Sequence, residues 1–193
     1  RAAAAALSGN ELLVYPYLKR TLLDIATAVF MGDEPGPQSQ LMAKAFSSED
    51  AYLMVNGTSA AVQSMMLAAL KPGDKIILPR NIHKSAMNAL ILSGAIPVYI
   101  KPVIDENLGI AHGVTLDSVR NAIEDNHDAK AVLVMNPTYY GVTSDLSEIV
   151  NLVHENNMLL LCDEAHGAHF YFNDNLPAGA MTLGADMAPV SLH

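Results

Sequence analysis

The sequence predicts an α/β fold in which a mostly parallel sheet is covered by helices on both faces. Apolar runs of strand length alternate along the chain with segments of helical spacing, which is the pattern of this class. The 193 residues are 51% hydrophobic and 16% charged, and no apolar run of about 18 residues occurs, so we expect one soluble globular domain without a membrane span.

The first 35 residues are predicted to form an N-terminal helical approach segment. Helical spacing covers residues 12–30, and the glycines and prolines of residues 32–37 break it. The apolar run at residues 2–7 is too short for the core of a signal peptide. Helical spacing resumes at residues 38–46, within a main domain predicted for residues 36–193.

Strands and helices alternate through this main domain. The predicted strands are residues 52–55, 75–78, 96–100, 131–135, 158–162 and 187–190. The predicted helices are residues 57–70, 83–92, 116–125 and 146–156, with a turn at residues 71–74 and a loop after residue 100. Asp145 is predicted as the N-cap of the last helix, where Glu148 would complete a capping box.

Charge and cysteine content exclude several classes of function. The net charge of -9 leaves no basic stripe to neutralise phosphates, so we expect no nucleic-acid partner. The single cysteine, Cys162, excludes an internal disulfide framework and fits the reducing cytoplasm. Its position in an apolar strand predicts buried packing rather than reactivity.

Ligands of open α/β sheets bind beyond the carboxyl ends of the strands, so the loops there hold the candidate residues. Gly57-Thr58-Ser59 precedes a helix, where backbone N–H groups and two hydroxyls could hold a phosphate. Taken alone, an ordinary Ser/Thr helix cap is the simpler interpretation. No G-x-G-x-x-G or G-x-x-x-x-G-K-[ST] motif occurs, which leaves a single small phosphate as the possible ligand.

Asp163 directly follows the apolar strand at residues 158–162 and is the sharpest candidate. An ionised carboxylate against a pyridine nitrogen keeps that nitrogen protonated, and a protonated ring withdraws electrons from a substrate carbanion. Two alternatives are a simple turn cap and a magnesium-binding acid beside Glu164, although the phosphate loop that would accompany the magnesium is missing.

Histidines and a tyrosine-rich loop supply the remaining candidates. His83 could lay its imidazole on an aromatic ring or serve only structure, and Thr138 lies in a loop that could reach a ring hydroxyl or merely form a turn. His166 and His169 form an H-x-x-H pair, but Gly167 interrupts helical continuity between them. We therefore expect no metal site.

Five segments together resemble, in their order and spacing, the Orn/Lys/Arg decarboxylase family. They are Asn56-Gly57-Thr58-Ser59, Arg80-Asn81-Ile82-His83-Lys84-Ser85, Asn136-Pro137-Thr138-Tyr139-Tyr140-Gly141, Cys162-Asp163-Glu164-Ala165-His166-Gly167 and Ser191-Leu192-His193. The resemblance implies the aspartate-aminotransferase fold (fold type I), with pyridoxal 5'-phosphate (PLP) bound in the large domain. It also implies decarboxylation of arginine, lysine or ornithine to the corresponding amine, by a homodimer or higher homo-oligomer.

The resemblance further implies a role for each candidate residue. The implied phosphate contacts are Thr58, Ser59, Ser191 and His193, and the implied ring contacts are His83, Thr138, Asp163 and Ala165. His83 would stack on the ring and Asp163 would pair with the pyridine nitrogen. His166 would lie beside the other face of the ring or the substrate. The predicted catalytic residues are His83, Asp163 and His166.

One departure from the family pattern limits this expectation. The family's Ser-x-His-Lys motif supplies the lysine that forms the Schiff base, whereas this sequence stops at His193. Lys84 is not expected to replace it, because the family has a lysine there as well. We therefore expect a fragment that binds PLP noncovalently at most and does not turn over. Another fold-type-I enzyme (an aminotransferase or carbon–sulfur lyase) and a noncatalytic PLP-fold module remain alternatives.

Overall fold

The structure is a computed structural model that describes residues 37–191. The elements are α1 (Pro37–Ala45), α2 (Gly57–Ala69), β1 (Lys75–Pro79), α3 (Lys84–Ser93), β2 (Ile96–Ile100), β3 (Ile104–Asp105), β4 (Ile110–Ala111), α4 (Leu116–Glu124), β5 (Ala129–Met135), α5 (Leu146–Glu155), β6 (Leu159–Asp163) and a 3-10 helix (Ala168–Phe172). The predicted approach segment at residues 1–35, the first residue of the predicted main domain and His193 lie outside the described residues.

Four parallel strands form the central sheet, in the order β2-β1-β5-β6. Their side chains alternate between two cores, because successive residues of a strand point to opposite faces. Val132 and Leu160 pack with α4 and α5 on one face, while Leu133 and Leu161 pack with α2 and α3 on the other. The predicted three-layer α/β class is thus confirmed. None of the helices in residues 37–191 has the length and apolarity that crossing a bilayer would require.

Helix starts follow local capping chemistry. Thr115 precedes α4, and its hydroxyl accepts a hydrogen bond of 3.1 Å from the backbone N–H of Ser118. Asp145 does stand at the N-cap of α5, as predicted, but its side chain makes no capping bond. Its φ of -74° and ψ of 75° lie outside the extended region usual for an N-cap. The prediction of a capping box between Asp145 and Glu148 is therefore wrong, because the Asp145 side chain does not cap the helix.

Two strand predictions at the sheet margin need correction. Residues 52–55 form no strand, and the side chains of Leu53 and Val55 remain exposed rather than entering a core. Residues 187–190 make only two isolated parallel bridges, from Met187 to Leu161 of β6 and from Val190 to Glu164 just after β6, instead of a continuous strand. Pro189 lies between them and has no N–H to donate, which interrupts the ladder.

The loop predicted after β2 contains a small antiparallel hairpin formed by β3 and β4. Asp105 organises its turn, since Oδ1 accepts hydrogen bonds from the N–H groups of Asn107 and Leu108 at 2.9 and 3.0 Å. Each strand has only two residues, so neither shows a periodic pattern that could have revealed it.

Candidate functional site

The candidate site lies at the carboxyl edge of the sheet, where β1, β5 and β6 all end. Because these strands are parallel, the loops that follow them come together at one edge. The N–H of Asn136 donates a hydrogen bond of 3.1 Å to the carbonyl oxygen of Asp163, which ties the loop after β5 to the end of β6. This edge brings together the loops that hold most of the residues predicted from the sequence.

Asp163 is the last residue of β6, and its side chain is buried, with 7% exposed. Its Oδ1 accepts a hydrogen bond of 3.2 Å from the N–H of Ala165. Burial raises the pKa of this carboxyl above its ordinary range, while the Ala165 N–H and the imidazoles of His83 and His166 oppose that rise. The structure thus places both histidines near Asp163, and a cationic ligand group beside this carboxyl would favour its ionised form.

His83 has a structural role as the N-cap of α3. Its Nδ1 accepts a hydrogen bond of 3.2 Å from the N–H of Ser85 and lies 2.8 Å from the Ser85 hydroxyl. One ring nitrogen is thereby occupied, and the orientation of the imidazole is restrained. His83 therefore has the structural role that the sequence offered as one of two alternatives. The same restraint keeps its ring near Asp163.

The turn after Asp163 carries Ala165 and His166. Ala165 is half-buried and His166 is exposed. The imidazole of His166 meets the ring of Tyr139 edge to face, with the ring centroids 5.5 Å apart. Tyr139 itself is 79% exposed, so this aromatic pair borders solvent at the carboxyl edge.

Thr138 lies in the loop after β5 and directly follows the cis peptide bond between Asn136 and Pro137. Its side chain is buried, and its hydroxyl accepts a hydrogen bond of 3.2 Å from the N–H of Val142. Asn136 is buried too, and its side-chain oxygen accepts a bond of 2.8 Å from the N–H of Ser144. Thr138 therefore stabilises its own loop, and its hydroxyl proton remains available to donate.

The start of α2 has the properties of an anion site. Asn56 takes the N-cap position with φ 73° and makes no side-chain capping bond. Within residues 37–191, the hydroxyls of half-buried Thr58 and exposed Ser59 have no hydrogen-bond partner. The first N–H groups of a helix have no acceptor within the helix, and the Asn56 side chain does not cap them here. These backbone donors and the two hydroxyls therefore gather at the start of α2. This donor set fits the phosphate of PLP.

Ser191 follows the chain segment that lies beside β6. Val190 forms a parallel bridge with Glu164, which places half-buried Ser191 at the same end of the sheet as Asp163. His193, the other residue predicted from this segment, lies outside the described residues.

Glu164 was missed as a site residue by the sequence interpretation. Its side chain is fully buried, and burial raises its pKa to about 7 although hydrogen bonds from Tyr171 and Ala180 oppose the rise. These partners lie seven and sixteen residues further along, so no local spacing could have indicated them. Cys162 on the other side of Asp163 is buried, and burial raises the pKa of its thiol, which agrees with its predicted packing role.

In the part of the chain that the structure describes, no three His, Cys, Asp or Glu side chains converge as the ligands of an ion would. His166 and His169 are both exposed.

Comparisons with known proteins identify the family of this chain. A family model described as Orn/Lys/Arg decarboxylase, major domain, matches residues 34–192. The chain is 51% identical over 153 residues to an arginine decarboxylase of Bacillus subtilis (strain 168), covering 79% of this chain and 31% of that protein. It thus spans about a third of the length of the curated arginine decarboxylases it matches, which it covers by 31 to 33%.

Solved structures give the same fold. The structure matches lysine decarboxylase A from Pseudomonas aeruginosa with a TM-score of 0.68 and 25% identity, over 79% of this chain and 23% of that one. It also matches an alanine–glyoxylate aminotransferase from Nostoc sp. with a TM-score of 0.60 and 18% identity, over 97% of this chain and 44% of that one. The second likeness shows the fold alone.

Proposed function

This chain belongs to the Orn/Lys/Arg decarboxylase family, and from that premise we propose that its protein uses PLP to decarboxylate arginine, lysine or ornithine. The observation that carries the proposal is the buried carboxyl of Asp163 at the carboxyl edge of the sheet, whose ionised form the imidazoles of His83 and His166 favour. The relatives named arginine decarboxylase, at 51 and 50% identity, favour arginine among the three substrates.

The residues at this edge suit the parts of PLP. We assign the phosphate to Thr58, Ser59, Ser191 and His193, and the ring to His83, Thr138, Asp163 and Ala165. The donors at the start of α2 support the phosphate contacts. When bound, PLP would supply a ring that accepts the electrons left on the substrate carbon as carbon dioxide departs.

The catalytic work assigned to the chain is electrostatic and positional. The carboxylate of Asp163 would hold a proton on the ring nitrogen, because a buried negative charge is stabilised most by a cation in direct contact. His83, already restrained by Ser85, would pack against the ring and help to hold it in the site. His166, which contacts Tyr139, would face the substrate.

The proposal also includes a homodimeric state and a location in the cytoplasm. Ile91 and Leu92 of α3 are 79% and 63% exposed, and a second copy of the chain in a homodimer would cover such apolar side chains. The single, fully buried cysteine supports a reducing compartment such as the cytoplasm.

A titration of the purified protein with PLP tests the proposal through Asp163→Asn. The amide cannot carry the negative charge, so we expect PLP binding to weaken by at least about tenfold, about 1.4 kcal/mol. Asp128→Asn is the matched control, because Asp128 pairs with Lys75 at the opposite edge of the sheet, at 2.9 Å. Equal affinity in all three proteins would contradict the proposal. The product of the complete gene should then release carbon dioxide from arginine, lysine or ornithine.

A further inference from the structure

A fully buried carboxyl lies immediately beside Asp163. The Oε2 atom of Glu164 accepts a short hydrogen bond from the Tyr171 hydroxyl, and Oε1 accepts a bond of 2.8 Å from the N–H of Ala180. The Tyr171 hydroxyl oxygen in turn accepts a bond of 3.1 Å from the N–H of Met181. Both carboxyl oxygens of Glu164 and the hydroxyl oxygen of Tyr171 thus have a hydrogen-bond partner, as a buried polar network requires.

The turn that carries Ala165 and His166 rests on the Glu164 side chain. A Cβ atom added at Gly167 would lie 2.4 Å from Glu164 Cγ and 3.0 Å from Pro137 Cδ, so only glycine permits this close packing. The N–H of Gly167 also donates to the carbonyl oxygen of Glu164 at 2.9 Å. The turn is therefore packed directly against the Glu164 side chain and bonded to the Glu164 backbone.

Tyr171 is itself held from two sides. Its ring meets Phe46, just after α1, edge to face with centroids 4.8 Å apart. A Cβ at Gly179 would lie 2.2 Å from Tyr171 Cζ, so the backbone there lies directly against the ring. Tyr171, which lies in the 3-10 helix, thus contacts Phe46 just after α1 and the segment around Gly179 and bonds the Glu164 carboxyl. The Glu164 side chain in turn supports the turn beside Asp163.

We propose that Glu164 and Tyr171 are positioning residues that hold the turn of residues 165–167 so that the Ala165 N–H orients the Asp163 carboxylate toward the cofactor ring. The inference rests on the proposed function and adds residues that contact neither the ring nor the substrate. Apolar side chains of similar volume would fill the same space without the cost of burying a carboxyl. A carboxyl and a hydroxyl fix the Glu164 side chain, against which the turn packs, by directional bonds that apolar packing does not supply.

The test compares Tyr171→Phe with the unmodified protein and with Tyr52→Phe. Tyr52 is the matched control, because its hydroxyl also donates to a carboxylate, Asp50 Oδ2 at 2.7 Å, and neither residue belongs to the hydrogen-bond network of Glu164. Glu164→Gln is the second variant, since its amide can replace only one of the two acceptor oxygens. The first readout, taken without PLP, is hydrogen exchange of the Ala165 amide together with the NMR titration of the Asp163 carboxyl.

We expect both site variants to speed exchange of the Ala165 amide by at least about tenfold, as loss of one hydrogen bond allows. The titration midpoint of Asp163 should move upward, because the Ala165 N–H that opposes the rise is released. Tyr52→Phe should change neither. The second readout is PLP affinity, which both site variants should weaken by about tenfold.

Three results would overturn the inference. The first is unchanged Ala165 exchange and Asp163 titration in variants that lose only thermal stability. The second is equal change in the Tyr52→Phe control. The third is loss of folding in both site variants while the control folds, which would assign the pair to structure alone. Failure of the unmodified protein to bind PLP would instead count against the proposed function, because the first readout needs no cofactor.

Discussion

Replacing Glu164 with glutamine should remove one defined contribution to the pH dependence of stability. Burial raises the pKa of this carboxyl from 4.5 to about 7 in the folded protein. The folded state then holds its proton more tightly than the unfolded chain does. The stabilisation is complete below the unfolded pKa and is lost as the pH rises through the folded pKa.

The size of the effect follows from this pKa difference. Each unit corresponds to about 1.4 kcal/mol, so a rise from 4.5 to about 7 is worth about 3 kcal/mol in total. About 2 kcal/mol of that amount falls between about pH 5.5 and pH 8. This window lies above the isoelectric point of about 5.0, where low net charge would promote precipitation.

Urea unfolding at several pH values measures the difference. The stability of the unmodified protein minus that of Glu164→Gln should fall by about 2 kcal/mol across this window, because glutamine does not titrate. Glu106→Gln is the control, since Glu106 is exposed in the turn between β3 and β4. A difference that stays constant with pH, or that rises with pH, would refute the reasoning about burial.

Three further predictions concern the core, the phosphate end and the Tyr171 contact. Leu161→Ala should destabilise the protein by about 2–5 kcal/mol in urea unfolding, because Leu161 is fully buried, whereas Leu108→Ala at an exposed position should stay within about 0.5 kcal/mol. Thr58→Val should weaken PLP binding by about tenfold but leave binding of pyridoxal, which lacks the phosphate, unchanged in the same titration. Gly179→Ala should lower the free energy of unfolding by about 1–3 kcal/mol, because the added methyl group would meet the Tyr171 ring; equal stability would show that the ring moves aside freely.

Much of the fold was predictable because its helices and strands carry their own periodic signals. The prediction for residues 96–100 agrees with β2, and those for residues 146–156 and 131–135 agree with α5 and β5 to within two residues at each end. Residues 52–55 have the composition of a strand but no paired neighbour within residues 37–191. Composition alone does not supply the partner that a strand needs.

The candidate site was predictable where residues follow the ends of strands. The loop after β6 was identified because position along the chain fixes position in a parallel sheet. The start of α2 was identified because Gly57-Thr58-Ser59 precedes a helix, although the strand predicted before it does not form. The support beneath Asp163 was not predictable, since Tyr171 and Ala180 approach Glu164 only after folding. The sequence left a structural role for His83 open, but the particular capping bond from the Ser85 N–H could be identified only in the structure.

Amide chemical shifts recorded while PLP is added to the isotope-labelled protein would show where the cofactor binds. We expect changes at the carboxyl edge of the sheet, in Thr58, Ser59, His83, Ala165 and Ser191. The amides of Lys75 and Asp128 at the opposite edge should not move. Saturable changes confined to the first group would support a PLP site at the end of β6. Changes at the opposite edge, or none at millimolar PLP, would contradict it.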